Sequence, residues 1–270
     1  MSEKRIHMDE YDIIEYPKTN IYIVENFLEN ELCEEIINTI DVLPLKKLSY
    51  NSGNNVECNI FVLDDYININ NDSVYYFSTN EDEIETILKK INNKENIYMN
   101  KLNGISLDTI KQQNDKLNKK MEILQNLFNT INNKIKFDHT HFAYRKIYGP
   151  IRLHTDGILD VYEDNVHFLK ENRLNDYRMV RNCSVVFTLN DDYEGGVFNF
   201  PQQEVSVKLK KGSVIVFPPY WTHPHQVSKL ENNTFRYTVN TWGVHPDLYG
   251  GPRMGPDSNL HWYNMGQIVL

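Results

Sequence analysis

After Phe137 the chain turns into short runs rich in β-branched and aromatic residues, and this texture limits its fold more than any other feature. Residues 142–148, 183–189, 197–200, 205–209, 213–217 and 236–242 each read as a strand. Gly-Pro at 149–150, DDYEGG at 191–196 and KKG at 210–212 supply turns between several of them. No helical period intervenes, so the strands are expected to pair antiparallel in a double sheet of the sandwich or jelly-roll kind.

The N-terminal half is written differently. Residues 1–20 are polar and mixed and are expected to form a mobile start, followed by a short strand at IYIV, 21–24. Leu32, Cys33, Ile36, Ile37 and Ile40 recur at helical spacing, with Glu31, Glu34 and Glu35 near the positive end of that helix. An Asn-rich stretch at 51–71 carries no functional signal, and 81–91 reads as a helix before a loop at 92–96. The longest helical pattern spans 107–134: Ile110, Leu117, Leu124 and Ile131 repeat every seven residues, with Met121, Phe128 and Ile135 beside them and Asn114 as a polar interruption. The pattern admits a coiled-coil homodimer through 107–135 or a helix lying on its own sheet, and barely four heptads favour the second. The expected organisation is a helical and mixed region over 1–136 packing on the core, a strand-rich core over 137–245, and an irregular, Gly- and Pro-bearing tail over 246–270.

Composition narrows the function. A formal net charge of -9 argues against a generic nucleic-acid surface. Cys33, Cys58 and Cys183 are odd in number and lack CxxC spacing, which suits thiols in a reducing compartment. The polar N-terminus has no apolar signal core and no 18-residue apolar run follows, so a cytoplasmic protein without a membrane span is expected.

The chemistry is concentrated in RLHTDG and in KKGSVIVFPPYWTHPHQV. His154 and Asp156 alternate along a strand and share a face, while Thr155 points away. A distant histidine completes two imidazoles and one carboxylate, the donor set that holds Fe(II) on one face and leaves positions open for oxygen chemistry. His223 and His225 both qualify. Arg236, eleven residues after His225, returns on the next strand and decides for His225, leaving His223 as a neighbour of the site or of the substrate. An arginine there would anchor an anionic co-substrate. His139 and His141 form the H-x-H that opens a cupin site, but the next glutamate, Glu163, falls beyond HTD, so that reading is set aside. Arg152 and Arg181 are weighed as substrate-facing against solvated arginines, and Trp221 and Trp242 are read as core aromatics.

These segments, with VVFTLNDDYEGGVFNF and TFRYTVNTW, resemble the 2-oxoglutarate- and Fe(II)-dependent oxygenase superfamily, in particular its prolyl 4-hydroxylase-like branch, over residues 144–242. VENFLENELCEEII also resembles the helix that opens many members of the branch. The resemblance implies an α+β fold with a double-stranded β-helix core (jelly-roll, cupin-like) and flanking N-terminal helices. It implies His154, Asp156 and His225 as iron ligands and Arg236 as the partner of the distal carboxylate of 2-oxoglutarate, with Thr238 on the same strand face. The branch places a co-substrate tyrosine ahead of its His-x-Asp; Tyr148 and Tyr144 both fit, Tyr148 slightly better.

The expected activity is O2-dependent hydroxylation of a substrate C–H bond with conversion of 2-oxoglutarate to succinate and CO2, and ascorbate as a reductant. A prolyl or other residue of a peptide or protein is the leading substrate, with a free amino acid or other small molecule as the alternative. A metal-binding β-helix module without turnover is the remaining reading.

Overall fold

In the computed structural model, which describes residues 3–43, 46–48, 58–62, 107–138, 142–156 and 181–244, the chain after 142 forms two facing antiparallel sheets. Its strands pass back and forth between them. β6 (Ala143–Ile147), β8 (Arg181–Thr188), β12 (Val214–Phe217) and β15 (Arg236–Val244) lie in the larger sheet. β7 (Ile151–His154), β10 (Phe198–Phe200), β11 (Val205–Val207) and β13 (His225–Val227) make the smaller one, in the order β11-β10-β13-β7. This eight-strand alternation is a double-stranded β-helix. A short ladder of β9 (Glu194–Gly195) with β14 (Leu230–Glu231) closes one edge.

The larger sheet continues into the N-terminal half. β1 (Lys4–Met8), β2 (Tyr11–Tyr16) and β3 (Ile21–Glu25) form a meander whose last strand pairs with β12. β4 (Lys46–Leu48) and β5 (Cys58–Val62) extend the other edge beyond β6. The strand expected at 21–24 is therefore present, while the mobile start expected over 1–20 is corrected to a hairpin. The reason is visible in β1, KRIHM, an edge strand whose polar side chains face solvent, as edge strands commonly do.

Two apolar layers result. Ile14, Ile21, Ile23, Ile147, Val186, Phe198, Phe200, Ile215 and Phe217 fill the space between the sheets. On the outer face of the larger sheet, Val24, Tyr144, Val185, Phe187, Val214 and Val239 meet two helices, α1 (Asn30–Val42) and α2 (Leu107–Ile131). α1 buries Leu32, Cys33, Ile36 and Ile40, the stripe its spacing predicts. α2 buries Ile110, Leu117, Met121, Leu124 and Phe128 in the same layer. The heptad seam is thus covered by the chain's own sheet, and the coiled-coil homodimer expected as one reading of it is corrected. Asn114 keeps its place in that seam because its side-chain oxygen accepts a 2.7 Å hydrogen bond from the Tyr144 hydroxyl. Lys120–Glu29 and Lys116–Glu35 ion pairs, 2.7 and 2.6 Å, tie the two helices together.

The turn signals place glycine where the backbone demands it. Gly212 adopts φ +73° with its carbonyl accepting from Leu28 N–H, and an added Cβ would sit 2.7 Å from the Leu28 carbonyl oxygen. No described helix is long and apolar enough to cross a membrane. The expected 81–91 helix, His139, His141 and the 246–270 tail lie outside the described residues.

Candidate metal centre

Antiparallel pairing of β7 with β13 sets His154 directly opposite His225. Opposed residues bring their side chains within reach of each other, and the two imidazole centroids are 4.4 Å apart. Asp156 follows β7 by two residues and turns its carboxylate into the same space. Its Oδ1 lies 3.3 Å from His154 Nε2 and 3.9 Å from His225 Nε2, and the three donor atoms all fall within 4.8 Å of one another. Ligands about 2.1 Å from one ion at right angles stand about 3 Å apart, close to the His154–Asp156 separation, and two imidazoles with one carboxylate are the donor types that suit Fe(II).

Backbone carbonyls orient both rings. His154 Nδ1 faces the Arg152 carbonyl at 2.7 Å and His225 Nδ1 faces the His223 carbonyl at 3.1 Å. With Nδ1–H donating in each case, the Nε2 lone pair is left for the metal. Asp156 Oδ2 accepts a 2.7 Å hydrogen bond from Ser184 Oγ, which leaves Oδ1 turned to the histidines. Arg181 donates to the Asp156 carbonyl. Burial alone would raise the Asp156 carboxyl, but the His154 hydrogen bond, the His225 and His154 charges and Ser184 hold it far below the usual carboxylate range. The ligand is therefore ionised, as coordination requires.

The surroundings are asymmetric. His225 is packed by Phe217, Phe200 and Phe198, at 4.6, 5.5 and 6.3 Å between centroids. The His154 side chain is 40% exposed against 4% for His225, so the site opens past His154.

Arg236 begins β15 and is 2% exposed, its guanidinium 4.9 Å from the centre of the Phe198 ring between the sheets. Thr238 shares its face, fully buried, and donates to Asn240 Oδ1 at 2.8 Å. Opposite Thr238 stands Thr188, whose buried hydroxyl has no hydrogen-bond partner among the described residues. Arg236, Thr238 and Thr188 thus form a polar strip inside the β-helix.

Tyr144 is not brought to this strip. Tyr144 belongs to the outer layer and bonds to α2, because alternation along β6 turns Ala143, Arg145 and Ile147 inward instead. The expectation of a co-substrate contact from Tyr144 is corrected accordingly. Tyr148 lies one residue past β6, half-buried.

His223 is buried and clamps the loop before β13 to the N-terminal meander, its Nε2 2.5 Å from the Thr19 carbonyl and its Nδ1 2.8 Å from Thr222 Oγ1. The ring is thus a structural tie, and through its carbonyl on His225 Nδ1 His223 is a neighbour of the centre, as the sequence reading allowed. Replacing His223 with Ala should lower stability by about 1–3 kcal/mol, read from the denaturant midpoint, because a buried carbonyl loses its donor. Arg152 is exposed, and Trp221, at 70% exposure, is corrected from core aromatic to surface, whereas Trp242 is buried.

Ser184 is the site residue that sequence reasoning missed. Alternation along β8, which puts Ser184 on the Val186 face, was the available signal. Ser184→Ala should weaken iron binding about 10- to 100-fold in an anaerobic Fe(II) titration, since groups that orient ligands carry effects of that size. An unchanged affinity would remove Ser184 from the centre.

A double-stranded β-helix carrying two histidines and one carboxylate on a single face defines a non-haem iron oxygenase site. Residues 147–243 match the family model of the 2OG-Fe(II) oxygenase superfamily. Fe(II) and 2-oxoglutarate follow as cofactor and co-substrate from the family and the triad, while no observation speaks for ascorbate. No curated protein sequence matches the chain. Similar solved structures include a viral collagen prolyl hydroxylase from Paramecium Bursaria Chlorella virus-1, at 14% identity, covering 84% of this chain and 97% of that one, TM-score 0.45. A prolyl hydroxylase from Trichoplax adhaerens, in complex with a hypoxia inducible factor peptide fragment, gives 14% identity, 86% and 86% coverage and a TM-score of 0.47. A prolyl-4-hydroxylase from Pseudomonas putida gives 15%, 84% and 94%, and 0.48.

Proposed function

We propose that this oxygenase hydroxylates a prolyl or other residue within a peptide or protein. The observation that carries the reading is that the centre opens to solvent past His154, whose side chain is 40% exposed. Tyr220 and Trp221, in the loop leading to His225, are 40% and 70% exposed. Large exposed apolar side chains on a loop that leads into a metal ligand suit a docked polypeptide. The prolyl target follows from the resemblance of the motifs to the prolyl 4-hydroxylase-like branch.

In this reading His154, Asp156 and His225 hold the iron, and Arg236 pairs with the distal carboxylate of 2-oxoglutarate. Thr188 and Thr238 offer that carboxylate hydroxyl contacts. When bound, the metal and co-substrate supply oxygen activation, with 2-oxoglutarate leaving as succinate and CO2 and one oxygen atom entering the substrate. The chain's own part is orientation and dryness. Carbonyl-held imidazoles and the Ser184-held carboxylate fix the donor atoms, and Phe198, Phe200 and Phe217 exclude water from the His225 side.

The test is oxygen-dependent succinate formation after anaerobic loading with Fe(II) and 2-oxoglutarate, in the presence of proline-containing peptides. Wild-type protein should exceed an Asp156→Ala control and leave peptide heavier by one oxygen atom. Succinate no higher than the control sinks the oxygenase reading; succinate without peptide hydroxylation sinks the peptide substrate.

A further inference from the structure

We propose that the Asn240 side-chain amide donates a hydrogen bond to the metal-side end of bound 2-oxoglutarate, its 2-oxo acid group; this rests on the co-substrate lying against Arg236, as in the reading above. β15 presents Arg236, Thr238, Asn240 and Trp242 on one face, since alternate residues of a strand point the same way. Pairing sets Thr238 opposite Thr188, Asn240 opposite Val186 and Trp242 opposite Ser184, the residue that holds Asp156. Asn240 therefore stands about 7 Å along the sheet from the row that carries Ser184, and about 13 Å from the backbone of Arg236. The Arg236 side chain shortens that second span. Its guanidinium is 4.9 Å from the Phe198 ring, which in turn lies 6.3 Å from that of His225. A five-carbon dicarboxylate joining this guanidinium to the metal passes over Thr238 and ends beside Asn240.

Asn240 is 8% exposed, and its Oδ1 accepts a 2.8 Å hydrogen bond from Thr238 Oγ1. That bond turns the other arm of the amide, Nδ2, away from Thr238. Among the described residues Nδ2 has no acceptor. Its neighbours across the ladder, Ala143 and Val186, carry no polar side-chain atom. Arg145, opposite Thr238, brings donors only, and its Nε is itself buried without a partner among the described residues. Enclosed N–H groups are unfavourable until an acceptor meets them, and an anionic acceptor makes the stronger bond. Substrate arrives from solvent past His154, which is 40% exposed, whereas Asn240 lies on the floor made by the larger sheet. The acceptor that reaches this floor belongs to the co-substrate. Thr238, by holding the amide oxygen, is the positioning residue for the contact.

The experiment titrates the Fe(II)-loaded protein with 2-oxoglutarate under anaerobic conditions, following the visible charge-transfer absorption of the iron-bound 2-oxo acid. Asn240→Asp keeps the oxygen that accepts from Thr238 and replaces the N–H donors with an anionic oxygen. Its dissociation constant for 2-oxoglutarate should rise at least about tenfold, with Fe(II) binding no weaker than in wild type. Asn240→Ala should weaken the co-substrate less than the Asp variant and should shift the absorption band at saturation, whereas Arg236→Lys should leave the band in place. Circular dichroism checks the fold of each variant, and the Ala variant answers the question should the Asp variant not fold. Wild-type affinity in Asn240→Asp overturns the inference, because the amide then only braces Thr238. An unmoved band in Asn240→Ala overturns it as well, because the amide then serves the distal end. Arg236→Ala is titrated in parallel. Unchanged affinity there refutes the placement of the co-substrate, whereas loss there with wild-type affinity in Asn240→Asp refutes this inference alone.

Discussion

Asp156→Ala is expected to lower oxygen-dependent succinate formation by on the order of a thousandfold, about 4 kcal/mol of activation free energy. The carboxylate is the one anionic donor of the candidate centre. Without it two neutral imidazoles, 4.4 Å apart, remain to hold a dication, and such a pair lacks both the charge and the third position of the facial set. Iron should be lost in the same proportion, measured by anaerobic titration, while circular dichroism of the metal-free protein shows the β-helix intact. Asp156→Asn separates charge from shape, because an amide oxygen can still accept from Ser184. It should fail nearly as badly. Retained turnover in either variant would mean that the iron sits elsewhere.

The same residue gives a pH signature. Its carboxyl is held below its ordinary value in the folded metal-free protein. Ionised Asp156 therefore contributes stability above the unfolded carboxylate value of about 4, and the contribution disappears as pH falls towards the depressed folded value. The Asn variant should lack that component of acid destabilisation.

How legible was this in the sequence? The ligands were, because alternation in a strand is strict and because His225 and Arg236 are joined by a short return between consecutive core strands. β6, β8, β10, β11, β12 and β15 were legible for a related reason, since they carry enough β-branched and aromatic residues to declare themselves, whereas β13, three residues long, does not. The β1–β2 hairpin was not. Its outer strand is an edge, and polar side chains suitable for an edge look like a mobile terminus. The faces of Tyr144 and Arg145 turned on a register that only pairing with β15 supplies. A one-residue difference moves every side chain to the opposite face. For Ser184, alternation along β8 gives the inward face but not the partner, since 28 residues separate it from the carboxylate it holds. Trp221 was misread because a large aromatic is usually buried, and here it stands on a loop that the core does not need.

Arg236→Ala should raise the 2-oxoglutarate requirement by roughly 30- to 700-fold, the equivalent of about 2–4 kcal/mol for truncating one side of a buried charge pair. The guanidinium is 2% exposed, so little water screens its attraction for an arriving carboxylate. Phe198 covers one of its faces, which fixes the plane in which the fork presents its donors. Arg236→Lys keeps the charge but gives up the planar, two-pronged geometry, and should fall between wild type and the Ala variant. Neither change touches a donor atom of the triad, so anaerobic Fe(II) binding should stay at the wild-type value in both, and that is the control that gives the result meaning. If iron is lost along with 2-oxoglutarate affinity, Arg236 acts by holding the β-helix together. If the requirement for 2-oxoglutarate does not move, the co-substrate lies somewhere other than the strip formed by Arg236, Thr238 and Thr188.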